Sequence, residues 1–377
     1  MRHPINIFSL VLVCCILVLP LMAAAAEPQS RRVEVYPSPV TVSVPETVGD
    51  GTAFPCSFKA SGLASVTVTF LKSSITAPAD KNGEAVVLLP VPLDQPDTDA
   101  PLTWKASFTA ALGAYAMPAS GTATVKIRER SYPVQKLTVA PKYVTPDPEL
   151  QERIEQERKL MGAALNTRSG TRHWSLPMAR PVPGRITSLY GLRRVLNGQP
   201  RSAHKGLDFR GAEGSPITAI ADGTVVLAGD FYYAGKFVVL DHGLGVVSIS
   251  MHMSEVIARQ GQAVKTGETI GLVGSTGRST GPHLHLGVSV LGQSIDALTL
   301  LRLTEEDKAV YAAMMQSASE APPQKTVKKT GGSAKKKSAP APIKKSGKKA
   351  DQKTAGKPAA RSTQTGTGST GPKQGTQ

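Results

Sequence analysis

Glycine punctuates residues 180 to 303 so densely that no helical period is visible there. The apolar residues come in short runs, PITAIA, GTVVLAG, KFVVLDHG, GVVSISMHM, TIGLVG and HLHLGVSV, with glycines between nearly all of them. Short runs bounded by turn residues are strand signals, so residues 179–303 are predicted to form an all-β domain. A second series lies upstream: VEVYPSPVTVSV, ASVTVTFL, EAVVLLPV, LTWKASFTA, TATVKIRE and QKLTVA, broken by GDG and DKNG. It predicts a β-sandwich-like accessory domain over 32–140, of Ig-like kind. A chain of 377 residues has room for both cores.

Between them, a linker over 141–178 carries a helix. Asp147, Pro148 and Glu149 supply an N-cap, a proline at the first helical position and an early acid. In the segment that follows, PELQERIEQERKLMGAAL, Leu150, Ile154, Met161 and Leu165 recur on one face, enough to dock on a neighbouring element. After the second domain, Thr304-Glu-Glu-Asp307 resembles a capping box for a short helix over 304–316.

The two ends read differently. Arg2 and His3, an apolar run from Ile5 to Met22 and an alanine cluster ending at Ala26 predict a secretory signal over 1–26. Cys14 and Cys15 sit inside the apolar run rather than at its end, against a lipoprotein signal. No later segment approaches the ~20 apolar residues that span a bilayer. The mature chain would then keep Cys56 alone, read as a buried core thiol with no disulfide to make. Localisation in the periplasm or cell envelope follows.

The net charge of +16 belongs mostly to residues 317–377, which hold fourteen Lys and Arg against Glu320 and Asp351. That stretch lacks the apolar residues that offset ordering entropy, so it is read as a disordered Lys-rich tail. For an exported chain its partner is expected to be an anionic envelope polymer, not nucleic acid.

Five of the seven histidines, His204, His242, His252, His283 and His285, fall in the second domain. In GPHLHLGVSV, a strand starting at Pro282 places His283, His285, Gly287 and Ser289 on one face and Leu284, Leu286, Val288 and Val290 on the other. Two imidazoles roughly 7 Å apart then face a common point. A cupin would want a glutamate soon after the pair and a carbonic anhydrase a third downstream histidine; neither follows, so partners come from upstream. His204 and Asp208 in AHKGLDFRG supply them. Three protein ligands and an open fourth position suit a catalytic Zn²⁺, which activates water and polarises a carbonyl. His252 is the candidate for a further imidazole beside the reacting carbonyl, and His242 in LDHG reads as a structural turn residue.

HKGLD, the DHG turn, the histidine of SMHMS, VKTGETIG and GSTGRSTGPHLHLGV, in this order, resemble the lysostaphin/LytM-type zinc endopeptidases over roughly residues 180 to 300. The resemblance implies a β-sheet catalytic core of the duplicated hybrid motif type. It also implies hydrolysis of peptide cross-links in peptidoglycan by a zinc-activated water, for cell-wall remodelling. It assigns zinc to His204, Asp208 and His285, and makes His252 and His283 the catalytic imidazoles. The family's usual aromatic residue two positions before the catalytic histidine is here Ser250, which bears on groove shape. Arg193, Arg194 and Arg278 are candidates for substrate carboxylates, with FYYAGK and GSTGRSTG as groove walls. The rival reading is a catalytically silent peptidoglycan-binding or amidase-activating envelope protein, with a regulatory envelope partner; such relatives typically lack metal ligands, whereas all five positions are filled here.

Overall fold

A computed structural model describes residues 32–33, 40–109 and 119–319. The expected signal (1–26) and the basic tail beyond residue 319 lie outside the described residues. Among the described residues no helix is long and apolar enough to cross a membrane.

The described chain is mainly β. Upstream, a four-stranded sheet runs in the order Arg32–Val33, Thr41–Ser43, Ala53–Lys59, Glu84–Pro90. A five-stranded sheet runs Thr47–Gly49, Ala119–Arg128, Thr98–Phe108, Leu63–Phe70, Ser73–Pro78. Alternate residues of both turn inward, and Phe54 of one sheet meets Phe70 of the other edge-on at 5.2 Å between ring centroids. Phe58 and Trp104 make a second inter-sheet contact at 5.9 Å. Cys56 is fully buried, and burial pushes its thiol pKa up, which keeps it an inert core residue. Gly121, paired across the strands with Trp104, leaves room for the indole, since a Cβ there would come within 2.7 Å of it.

The downstream domain is built on an antiparallel sheet. Its order is Ile186–Ser188, Leu207–Arg210, His283–Val290, Val246–Met253, Gly235–Asp241, Gly223–Phe231, Ala263–Val264, with Gln293–Ile295 also paired to His283–Val290. A three-stranded sheet, Pro216–Thr218, Thr269–Leu272, Glu255–Val256, accompanies it. Leu284, Leu286, Val288 and Val290 are buried in the core as the alternation required.

The upstream and downstream sheets fall in one compact unit and share one continuous apolar core. Arg130 reaches across to Asp296 at 2.9 Å and to the Tyr311 hydroxyl at 3.0 Å. The strand Val134–Leu137, part of QKLTVA and grouped with the first domain on sequence, pairs in parallel with Arg193–Leu196 of the second. Alternation predicts that a segment is a strand but not which sheet edge it joins.

The linker helix is Gln151–Leu165, preceded by a single 3₁₀ turn at Pro148–Leu150 whose first free amide, on Glu149, is accepted by the Asp147 side chain at 3.0 Å. Met161 and Leu165 pack on Phe237, Val239 and Ile249, so the apolar stripe docks on the sheet. The C-terminal helix runs Glu305–Ser319, longer than its sequence signal and three residues into the stretch read as tail. Its capping box forms: Asp307 N donates to Thr304 Oγ1 and Thr304 N to Asp307 Oδ2.

Candidate metal centre and groove

The histidine strand lies between two partners, and register does the assembling. Asp208 stands opposite His285, and Met251 opposite His285 on the other side. His204 enters from the loop just before Leu207–Arg210. Its Nδ1 donates to the Leu189 carbonyl at 2.7 Å, which leaves Nε2 with its lone pair facing the site. Gly206 is required there, because a Cβ would lie 2.7 Å from the His285 ring.

Three ligand-type atoms converge. His204 Nε2 and Asp208 Oδ1 are 3.0 Å apart, His285 Nδ1 and Asp208 Oδ1 2.8 Å, and His204 Nε2 and His285 Nδ1 3.0 Å. All three residues are buried. A closed triangle of two imidazole nitrogens and one carboxylate oxygen needs protons on the ring nitrogens, or a cation in their place, to hold its three edges. One shared cation satisfies all three, and two nitrogens with one oxygen suit zinc. Among the described residues this is the one such group of His, Cys, Asp and Glu.

His283 and His252 stand beside this triangle. His283 Nε2 is 3.9 Å from Asp208 Oδ1, and its ring centroid is 4.9 Å from that of His252. His283 Nδ1 donates to the Gly281 carbonyl at 2.7 Å, and His252 Nδ1 to the Thr276 carbonyl at 2.8 Å. Carbonyl oxygens only accept, so both neutral rings present a bare Nε2. His252 itself sits in the left-handed backbone region with φ +63°. It belongs to a bulge: between the pairs Val238↔Ser250 and Lys236↔Met253, two residues oppose Phe237 alone. That irregularity brings His252 to the same cavity as its neighbour Met251. Left-handed backbone is costly for a non-glycine residue and accumulates at functional positions.

The electrostatics follow from burial. Burial would raise the Asp208 carboxyl, but His204 and His285 outweigh it and hold the group well below the usual carboxylate range. Burial lowers His285 to about 4, against the pull of Asp208. Burial, with His285 and His283 nearby, lowers His252 to about 3. Both histidines normally titrate near ~6.5, so between pH ~6.5 and these lower values the unfolded chain binds protons that the folded chain refuses. The metal-free protein is therefore expected to lose stability as pH falls through this window, by up to about 1.4 kcal/mol per group per pH unit. Thermal melts of chelator-treated protein from pH 7 to pH 5 should show a falling Tm, and a flat profile would contradict the assignment.

The other candidates divide. His242 is fully buried, bonded to the Asp222 carbonyl and to Ser248 Oγ, each at 2.8 Å, a structural role. Arg193 turns to the accessory domain, where it pairs with Asp94 and stacks on Tyr132, instead of facing the groove. Arg194 donates to Asp208 Oδ2 at 3.1 Å, and Arg278 lies over the Tyr233 ring at 4.8 Å. A cavity of about 530 Å³ opens over the centre, lined by His204, His252, His285, Tyr233, Arg194 and Arg278. One of its walls is the linker helix, through Ile154, Glu157 and Met161. Glu157 is fixed there by accepting from the Tyr232 amide at 2.8 Å and from Arg153. Sequence reasoning gave this helix a docking face but not a place at the groove.

A β-sheet domain with a buried His-Asp-His triangle, two further imidazoles and an open groove defines a metallopeptidase-type site. Residues 202–297 match the model of peptidase family M23, and the downstream domain belongs to that family, whose cofactor is zinc. The chain is 40% identical over 138 residues to the DD-carboxypeptidase/endopeptidase Mpg of Neisseria meningitidis serogroup B, covering 36% of this chain and 32% of that one. It is 40% identical over 115 residues to the peptidoglycan DD-endopeptidase ShyA of Vibrio cholerae, covering 30% and 27%. The matches thus span about a third of these relatives or less. A crystal structure of an M23 peptidase from Pseudomonas aeruginosa aligns with 26% identity and a TM-score of 0.48, over 63% of this chain and 88% of that one.

Proposed function

We propose that this protein is an exported zinc metalloendopeptidase that hydrolyses peptide cross-links of peptidoglycan. The observation that carries the reading is the triangle His204, Asp208 and His285 with His252 and His283 beside it, where His204, His252 and His285 line a cavity of about 530 Å³. The M23 match and the peptidoglycan-hydrolase names of the relatives support the substrate class.

His204, Asp208 and His285 would hold the metal. Zinc, when bound, supplies a Lewis acid that polarises the scissile carbonyl and makes nearby water more acidic. The bare Nε2 of His283 is placed to take a proton from water at the site. The proton that His283 takes from water would be returned to the departing nitrogen, and His252, whose ring lines the cavity, would stand beside the reacting carbonyl. The low basicity of His252 before reaction keeps it neutral through the neutral pH range.

The purified, zinc-loaded protein incubated with isolated sacculi should release muropeptides with cross-links cleaved, identified by mass spectrometry. Intact cross-links after prolonged incubation, with zinc stoichiometric, would favour the silent, activating reading. Export rests on the basic-then-apolar sequence of residues 1–26, and the Lys-rich tail is read as a tether to anionic envelope polymer. Deleting residues 320–377 should weaken sacculus binding at low salt and leave turnover of small soluble peptides unchanged; binding that does not respond to salt would refute the tether.

A further inference from the structure

The groove carries more positive charge than its own residues neutralise. Arg158, Arg194, Lys205 and Arg278 line it, against a single lining carboxylate, Glu157, already engaged by Arg153 and the Tyr232 amide. Arg158 is paired with Glu155. Arg194 spends one terminal nitrogen on Asp208, while its Nε is buried without a hydrogen-bond partner among the described residues. Arg278 has no carboxylate partner among them at all; its guanidinium rests on the face of Tyr233.

Such an arrangement is costly by itself. Burial disfavours the charge on Arg278, and Arg194 nearby adds repulsion. An orphaned buried donor is destabilising, and a bound acceptor would satisfy it. Two guanidinia that share a cavity, one stacked on an aromatic ring and one with an unsatisfied Nε, make a receptor for a planar, bidentate anion. Because Arg194 also holds Asp208, an anion bound there lies beside the metal centre and not at a remote end of the groove.

We propose that Arg194 and Arg278 bind a free carboxylate of the peptide substrate adjacent to the scissile bond, so that the groove selects anionic over neutral cross-link peptides. This rests on the hydrolase reading above and names the substrate feature it recognises. Arg278 is a specificity residue; Arg194 both binds and positions, through Asp208.

The test uses the full-length zinc-loaded protein and a soluble cross-linked muropeptide dimer whose carboxylate next to the scissile amide is free, beside the same dimer with that carboxylate converted to a primary amide. Wild type should favour the acid at least tenfold in kcat/KM. Arg278→Gln should bring the ratio towards one, mainly through KM, with zinc content unchanged, and Arg278→Lys should restore part of it. Equal cleavage of acid and amide by wild type would overturn the carboxylate site and leave the hydrolase reading intact. Should neither dimer be cleaved, the hydrolase reading fails. Calorimetric binding of the two dimers then decides the site separately: tighter binding of the acid that Arg278→Gln abolishes supports it, and equal binding refutes it.

Discussion

His204→Ala and His285→Ala are each expected to lose stoichiometric zinc and, with it, muropeptide cleavage. Each substitution removes one corner of a triangle whose edges are 2.8–3.0 Å, and two donors do not make the three-ligand site that holds a catalytic zinc. Metal polarisation contributes several kcal/mol to such reactions, so kcat/KM should fall by roughly a thousandfold or more. Zinc analysis on the purified variants and product mass spectrometry give the two readouts. Undiminished cleavage by either variant would sink the assignment. His285→Ala has a further expected effect: it removes one of the two histidines that depress Asp208, so the acid sensitivity of the metal-free protein should lessen.

His283→Ala is expected to behave in the opposite way, keeping zinc and losing turnover. Its Nε2 stands 3.9 Å from Asp208 Oδ1, outside the triangle, while its Nδ1 is committed to Gly281. Removing a positioned proton acceptor typically costs 10²–10⁴-fold in rate, and the loss should appear in kcat. His252→Ala should share the phenotype, since its ring lies 4.9 Å from that of His283 and lines the cavity over the metal centre. Loss of zinc in His283→Ala would mean that the roles of His283 and His285 are reversed.

Part of this site could be read from the chain. Strict alternation after Pro282 put His283 and His285 on the face opposite Leu284 and Leu286, and the structure buries those leucines. The caps at Asp147 and Thr304 were visible because capping is local chemistry. Which histidine of the pair joins the triangle was not readable from spacing, because both leave the same face; only the resemblance separated them. Arg193, Arg194 and Arg278 were equivalent as letters, yet Arg193 is drawn away by Asp94, while Arg194 meets Asp208. The linker helix showed an apolar stripe, but its role as a groove wall depends on where the sheet beneath it points.

Local terms were legible in the chain's letters: strand periodicity, turn positions, helix caps, and a set of metal-binding residue types. Tertiary structure decided what depends on long-range register and packing. Pairing Asp208 with His285 brings together residues 77 apart in the chain, and the bulge at Met251 and His252 exists only because a neighbouring strand is one residue shorter there. Alternation is fixed by the backbone's own geometry, whereas register is fixed by what the opposing strand must bury.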